Sequence, residues 1–188
     1  MVWPLLSVAA IRDVQYTVRH YSVADGLPQN IVMSFIEDQD GFIWIGTWDG
    51  LSRFDGYTFK TYKPSLSGSR VTSNRIDHLY EDSYGFIWVR AYDGAFYRIN
   101  KHTDRILCTD IHDARFGNRL PSKNLLLEQD SGVVWMSGDN QLLRVQESKA
   151  QDETQQTMFI LPGEANFLLK DALGNVWAGT RHGMEMFA

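Results

Sequence analysis

At 188 residues with 44% hydrophobic and 22% charged content, the chain is long enough for a sizeable core and too apolar for a disordered polymer. A formal net charge of −5 excludes the broad cationic field that draws in phosphate backbones or anionic lipid, so neither nucleic acid nor membrane contact is expected of this segment. Six Trp and 15 Gly against five Pro favour sheets joined by glycine-tolerant turns, and the single Cys108 rules out an intrachain disulfide. No partner is spaced around Cys108 for a metal, and it reads as a small buried hydrophobe.

The chain opens on the uncharged, apolar stretch Met1 to Ala10, followed by Arg12 and Asp13. Residues 1–12 read as the remnant of a secretory signal or leader, although the positive start of such a peptide is missing; a first strand packed on the fold is the alternative. No stretch elsewhere holds about 18 consecutive apolar residues, so no membrane helix is expected.

From Ile31 to Tyr62 the sequence predicts four short strands. Ile31 to Glu37 is apolar and β-branched, Asp38 to Gly41 is a turn, and Phe42 to Gly46 is a second strand. Thr47-Trp48-Asp49-Gly50 turns the chain again, Leu51 to Phe54 is a third strand, and Asp55-Gly56 signals a two-residue hairpin before Thr58 to Tyr62. The same plan recurs at 76–109, at 123–146 and at 166–188. The third copy has drifted at Gln129 and Asn140-Gln141, and the fourth holds about three strands. The polar stretch Gln151 to Gln156 reads as a loop.

Alignment on Trp44, Trp88, Trp135 and Trp177, separated by 44, 47 and 42 residues, brings four columns into register. Gly41, Gly85, Gly132 and Gly174 stand three positions earlier, Asp38, Asp82, Gln129 and Asp171 six positions earlier, and Ile43, Ile87, Val134 and Val176 one position earlier. Such a period marks radial or stacked units. One small sheet cannot bury both faces, so the expected architecture is all-β: four-stranded antiparallel blades of a β-propeller, each wedging its Trp against a neighbour. The Trp, Asp and Gly columns are therefore structural. A calcium loop at Asp38-Gln39-Asp40-Gly41 fails for want of a third carboxylate at the required spacing. Neither metal nor cofactor is expected.

The run Gly26-Leu27-Pro28-Gln29-Asn30, a strand, then E-D-Q-D-G-F-I-W-I-G-T-W-D-G-L-S-R-F-D-G-Y-T-F-K-T-Y resembles the two-component regulator propeller repeat. The resemblance covers residues 20 to 188, strongest in the first blade and weakest in the third. It implies a piece of a larger, seven-bladed propeller in the periplasmic part of a Bacteroidetes-type hybrid histidine kinase anchored in the inner membrane. Polysaccharide breakdown products would be the signal, and the partners would be the remaining blades, a downstream kinase and a second copy in a homodimer. No phosphoacceptor or ATP-lid motif lies in this chain, so it is not itself expected to be an enzyme.

Loops between second and third strands, with those between blades, meet on one face of such a fold. They bring Trp48, Asp49, Arg90, Tyr92, Asp93, Asp139, Asn140, Arg181 and His182 together with Gln29, Asn30, Asn74, Arg75, Lys123 and Asn124. Aromatic plates beside Arg, Asp and Asn suit a sugar, which offers C–H faces for stacking and hydroxyls at its rim. Each residue has a plainer reading: Asp49 and Asp93 as turn formers, Trp48 and Tyr92 as loop packing, His182 as a solvated or turn-bound ring. Arg90 stands out because Gly46 and Gly179 occupy its place in the first and fourth blades, although a blade-to-blade ion pair would also explain it. Against oligosaccharide sensing stand an interaction or dimerisation scaffold, a non-functional truncated product, and an enzyme, for which paired carboxylates free of turn duties are lacking.

Overall fold

A computed structural model describes residues 16–63, 73–93, 95–108, 126–138, 140–148 and 151–188. The leader at Met1 to Ala10, Lys123, Asn124, Asp139 and the Cys108 side chain lie outside the described residues.

Four antiparallel sheets follow one another along the chain. The first holds β1 (Val32–Glu37), β2 (Ile43–Thr47), β3 (Gly50–Phe54) and β4 (Phe59–Tyr62), in that spatial order. The second holds β5 (Ile76–Glu81), β6 (Phe86–Ala91), β7 (Phe96–Asn100) and β8 (Arg105–Cys108). In the third, β9 (Leu126–Asp130), β10 (Val133–Gly138), β11 (Gln141–Ser148) and β12 (Gln151–Ile160) repeat the meander; the fourth has three strands, β13 (Ala165–Lys170), β14 (Val176–Thr180) and β15 (Gly183–Phe187).

Two expectations are corrected. Gln151 to Gln156 is strand, the start of β12, and the third sheet therefore runs to Ile160. The long β11 supplies its partner, with Gln146 opposite Gln155 and Val145 opposite Gln156. An outermost strand makes its ladder on one side only and can carry polar residues on both faces, so the apolar alternation that flags a strand is absent. The β3–β4 connection is also longer than a two-residue hairpin. Phe54 pairs with Phe59, and the Asp55 carboxylate accepts from the Tyr57 and Thr58 N–H groups to close a four-residue turn.

The repeated columns act within each blade as one device. Asp38 Oδ1 accepts from the N–H groups of Asp40 and Phe42, and its Oδ2 accepts from Trp44 Nε1 at 2.8 Å. Asp82 does the same for Tyr84, Phe86 and Trp88, and Asp171 for Leu173, Asn175 and Trp177. In the third blade the work is divided: Gln129 Oε1 accepts from Trp135 Nε1 at 2.9 Å, while Glu128 takes the turn N–H of Gly132 at 3.0 Å. Gly41, Gly85, Gly132 and Gly174 all turn at positive φ, between 76° and 89°, where a side chain is strained.

The cores lie between sheets. Trp44, Leu51 and Tyr62 pack against Ile76, Leu79, Ile87 and Val89 of the next blade. Trp88 packs with Val134, Met136 and Leu143, and Trp135 with Ala165, Val176 and Ala178. Full burial of each such side chain contributes about 1.5–3 kcal/mol. Trp44 and Trp88 are 0% exposed and Trp135 2%, whereas Trp177 is only half-buried on a face with exposed Phe167, Leu169, Met184 and Met186. Between the second and third blades the fully buried Arg98 is hydrogen-bonded to Glu147.

A further column bridges blades through the residue before each Asp or Gln. The Glu81 carboxylate accepts from the Gln39 N–H in the first blade's turn, and Glu128 from the Ser83 N–H in the second's. Lys170 Nζ donates to the Gln129 carbonyl in the third. Each blade thus grips the turn of the one before it.

Candidate functional site

The loops expected to converge do so at the junction of the first two blades. The Trp48 N–H donates to the Ile31 carbonyl, Gly50 N–H to Asn74 and Tyr92 N–H to Arg75, so backbone bonds lock the interblade connections to the β2–β3 and β6–β7 turns. That fixes the Arg75 side chain. Its Cζ lies 4.7 Å from the Trp48 ring and 4.0 Å from the Tyr92 ring, a guanidinium between two aromatic plates that are both nearly half exposed.

Acidic groups surround this stack. Asp77 Oδ1 forms an ion pair with Arg75 Nε at 3.5 Å, and both Asp77 oxygens are buried. Burial pushes the Asp77 carboxyl upward against the pull of Arg75 and Arg90. Asp49 is held low by its 2.7 Å bond from Lys63 Nζ, and it also accepts from Asn74 Nδ2 at 3.3 Å. Arg90 stands opposite His78 on β5 and Phe96 on β7, is 5% exposed, and keeps its Cζ 5.9 Å from the Phe96 ring. Burial first and the Arg90 charge second drive the His78 pKa down, which favours its neutral imidazole.

Trp48, Asp49, Asn74, Arg75, Arg90 and Tyr92 thus gather within one pair of blades, while Asn30, Arg181 and His182 do not join them. Asn30 Oδ1 accepts from the Val23 N–H at 2.8 Å and secures the leading 3₁₀ turn, Val23–Asp25. Arg181 and His182 are exposed on the fourth blade, where the His182 N–H donates to Thr180 Oγ1 and its ring lies against Gly163. Asp93 Oδ1 accepts from the Ala95 N–H, as a turn former does. Sequence reading did not single out Asp77, His78 or Lys63; an Asp and a His inside a strand that otherwise reads as core, Ile76 to Tyr80, were the available signal.

Chemically, the arrangement offers two half-exposed aromatic rings and a stacked cation, with the buried Asp77 carboxylate beneath the surface beside Arg75. It suits an uncharged or carboxylated polar ligand held by stacking and hydrogen bonds. Among the described residues no group of three or more His, Cys, Asp or Glu is placed to hold a metal. A separate cleft of about 420 Å³, lined by Arg19, His20, Tyr21, Asp25, Gly56, Tyr57 and Phe59, lies at the outer strand of the first blade.

Residues 26–49, which hold the first Asp-to-Trp turn, match the family model described as two component regulator propeller. A histidine kinase P4 from Formosa agariphila is 36% identical over 62 residues, 33% of this chain and 4% of the relative. The chain therefore spans a small part of that relative's length. Among solved structures, the extracellular domain assigned to the hybrid two component system BT4673 from B. thetaiotaomicron is 20% identical, with a TM-score of 0.61 over 88% of this chain and 22% of that one. Virginiamycin B lyase from Staphylococcus aureus gives a TM-score of 0.60 at 19% identity, over 86% of this chain and 57% of that one. An extracellular domain of a two component system and a lyase on one fold show that the fold does not choose between recognition and catalysis. The chain is a row of β-propeller blades, and residues 26–49 in the first of them are similar to the two component regulator propeller family.

Proposed function

We propose that the chain is an extracytoplasmic, periplasmic ligand-sensing propeller of a hybrid two-component sensor, recognising an oligosaccharide and passing the signal to a kinase outside this sequence. The observation that carries the ligand half of this reading is the Trp48–Arg75–Tyr92 stack, which presents two half-exposed aromatic rings and a cation at the junction of the first two blades. The matched repeat and the kinase relative support the signalling half.

Thermal unfolding of the chain against neutral and uronate-bearing oligosaccharides tests the reading. A rise in melting temperature that Arg75→Ala and Tyr92→Ala both abolish is expected. No shift across the panel, with a folded chain by circular dichroism, overturns it. The apolar faces left open on the first and fourth blades favour a second reading, a scaffold that packs on further blades or on its own copy.

A further inference from the structure

The Trp48–Arg75–Tyr92 stack is not a product of the repeat. Counted from each blade's first strand, the place of Arg75 is filled by Ile31 in the first blade and by Glu164 in the fourth, so the scaffold itself asks for no cation there. The carboxylate beside it is equally particular to the second blade. Strand β5 carries a bulge between Ile76 and His78, with Asp77 as the extra residue; the same bulge in β1 and β13 holds the uncharged Met33 and Asn166. A bulge re-aims the side chain it carries, and here it brings the Asp77 carboxylate, 7% exposed, to 3.5 Å from Arg75 Nε.

The result is a cation held on three sides. Trp48 and Tyr92 flank the guanidinium, and Asp77 fixes its Nε edge from within. Among the described residues no group accepts from Nη1 or Nη2, and Nε is the nitrogen of Arg75 that is closed off from solvent. The other charges at the junction are engaged: Lys63 Nζ is bonded to Asp49 at 2.7 Å, Asp93 accepts from the Ala95 N–H, and Arg90 is buried. A planar guanidinium with one edge anchored, its faces covered and two adjacent donors free is pre-organised for a planar oxyanion, which receives both N–H groups in the plane of the fork. A staple that merely tied the two loops together would have no use for free donors, since backbone bonds already lock those loops.

We propose that Arg75 is the specificity-determining residue of the ligand site and that it selects a sugar acid, taking the ligand's carboxylate end-on through Nη1 and Nη2 while the half-exposed Trp48 and Tyr92 rings meet the sugar ring beside it. This rests on the sensing reading and narrows it, from any oligosaccharide to one that carries a uronic acid. Asp77 stays beneath the surface and does not meet the ligand; it holds the guanidinium in place. A neutral sugar forfeits two charge-assisted hydrogen bonds, a difference of at least about tenfold in affinity. Lysine cannot stand in for Arg75, because an ammonium has neither the fork nor the flat faces that the two rings cover.

Titration calorimetry of the full chain with three matched pairs of sugars tests this: digalacturonate, dimannuronate and cellobiouronate, each beside the neutral disaccharide made by reducing its carboxyls to alcohols. For at least one pair the acid is expected to bind about tenfold or more tighter than its reduced form, with a change in Trp48 fluorescence on binding. Arg75→Lys and Arg75→Gln should each bring the two forms to within about twofold of one another. Acid and reduced forms that bind the native chain equally overturn the inference and leave the sensing reading standing, as does an acid preference that survives Arg75→Gln. Failure of all six sugars to bind a chain that is folded by circular dichroism overturns both. Because the reduced sugars alter the ligand and not the protein, the comparison decides the matter even where an Arg75 variant fails to fold.

Discussion

Replacing Glu147 by Gln is expected to stabilise the protein, increasingly so as the pH rises. Glu147 is fully buried between the second and third blades, bonded to Arg98 but with its second oxygen unsatisfied. Burial, together with the neighbouring Asp82 carboxylate, raises its pKa from 4.5 to about 8 against the pull of Arg98. A carboxyl whose folded pKa lies above its unfolded value contributes most below pH 4.5 and loses that contribution as the pH climbs through about 8. At 1.36 kcal/mol per pH unit the cost is about 3 kcal/mol at pH 7 and about 5 kcal/mol above pH 9. Relaxation of Arg98 and water entry reduce these figures, leaving an expected gain of about 2 kcal/mol at pH 7 and about 3–4 kcal/mol at pH 9. Gln keeps an oxygen to accept from Arg98 and gains an amide that can donate to Asp82. Urea denaturation of both proteins at pH 5, 7 and 9 measures the difference. A native stability that is flat over that range, or a Gln variant weakened equally at every pH, refutes the reasoning.

Trp88→Phe strands the Asp82 oxygen that accepts its indole N–H at 2.6 Å and should cost about 2–4 kcal/mol by urea denaturation, whereas the half-buried Trp177→Phe should cost under about 1 kcal/mol. Gly46→Ala brings a Cβ to 2.7 Å from Ile76 and Ser34 in a closed interface and should cost about 1–3 kcal/mol, while Gly179→Ala meets only the exposed, movable Phe167 ring and should cost less. Asp171 is held at about 2 by bonds from Trp177 and Asn175, so its contribution is present above its ordinary value of 3.8 and fades as the pH falls toward 2. Asp171→Asn should flatten that acid limb in a pH-dependent melting series. Arg75→Ala should change Trp48 fluorescence by removing the stacked cation, with little effect on the melting temperature.

The blade plan was legible because the Asp, Gly and Trp of each turn do local work that the chain repeats at fixed spacing. Gln129 looked like decay of that pattern and is a replacement: its amide oxygen still receives the indole N–H, and Glu128 next to it caps the turn. The strand at Gln151 was invisible because its polar residues answer to a ladder and not to a core. For the site, loop position brought out Trp48, Tyr92 and Arg75 but gave no reason for Arg75 to lie between the two rings. That follows from the backbone bond between Tyr92 and the Arg75 carbonyl, a contact 17 residues apart in sequence. Asn30 accepts from the Val23 N–H through its side-chain oxygen, and His182 stands exposed on the fourth blade with its backbone N–H bonded to Thr180.

Because each Trp finds its hydrogen-bond acceptor six residues away in its own turn, the indole makes no polar demand on the neighbouring blade, and the polar bridges that remain come from a few surface side chains. Such units can be duplicated, reordered or exchanged with little renegotiation of polar contacts. Arg98 and Glu147 limit that freedom at the junction of the second and third blades: Arg98, shuffled to another place, would bring a bare charge into hydrocarbon, and Glu147 an unpaired buried carboxyl. The second and third blades are thereby bound to travel as a couple through any recombination that the others tolerate singly.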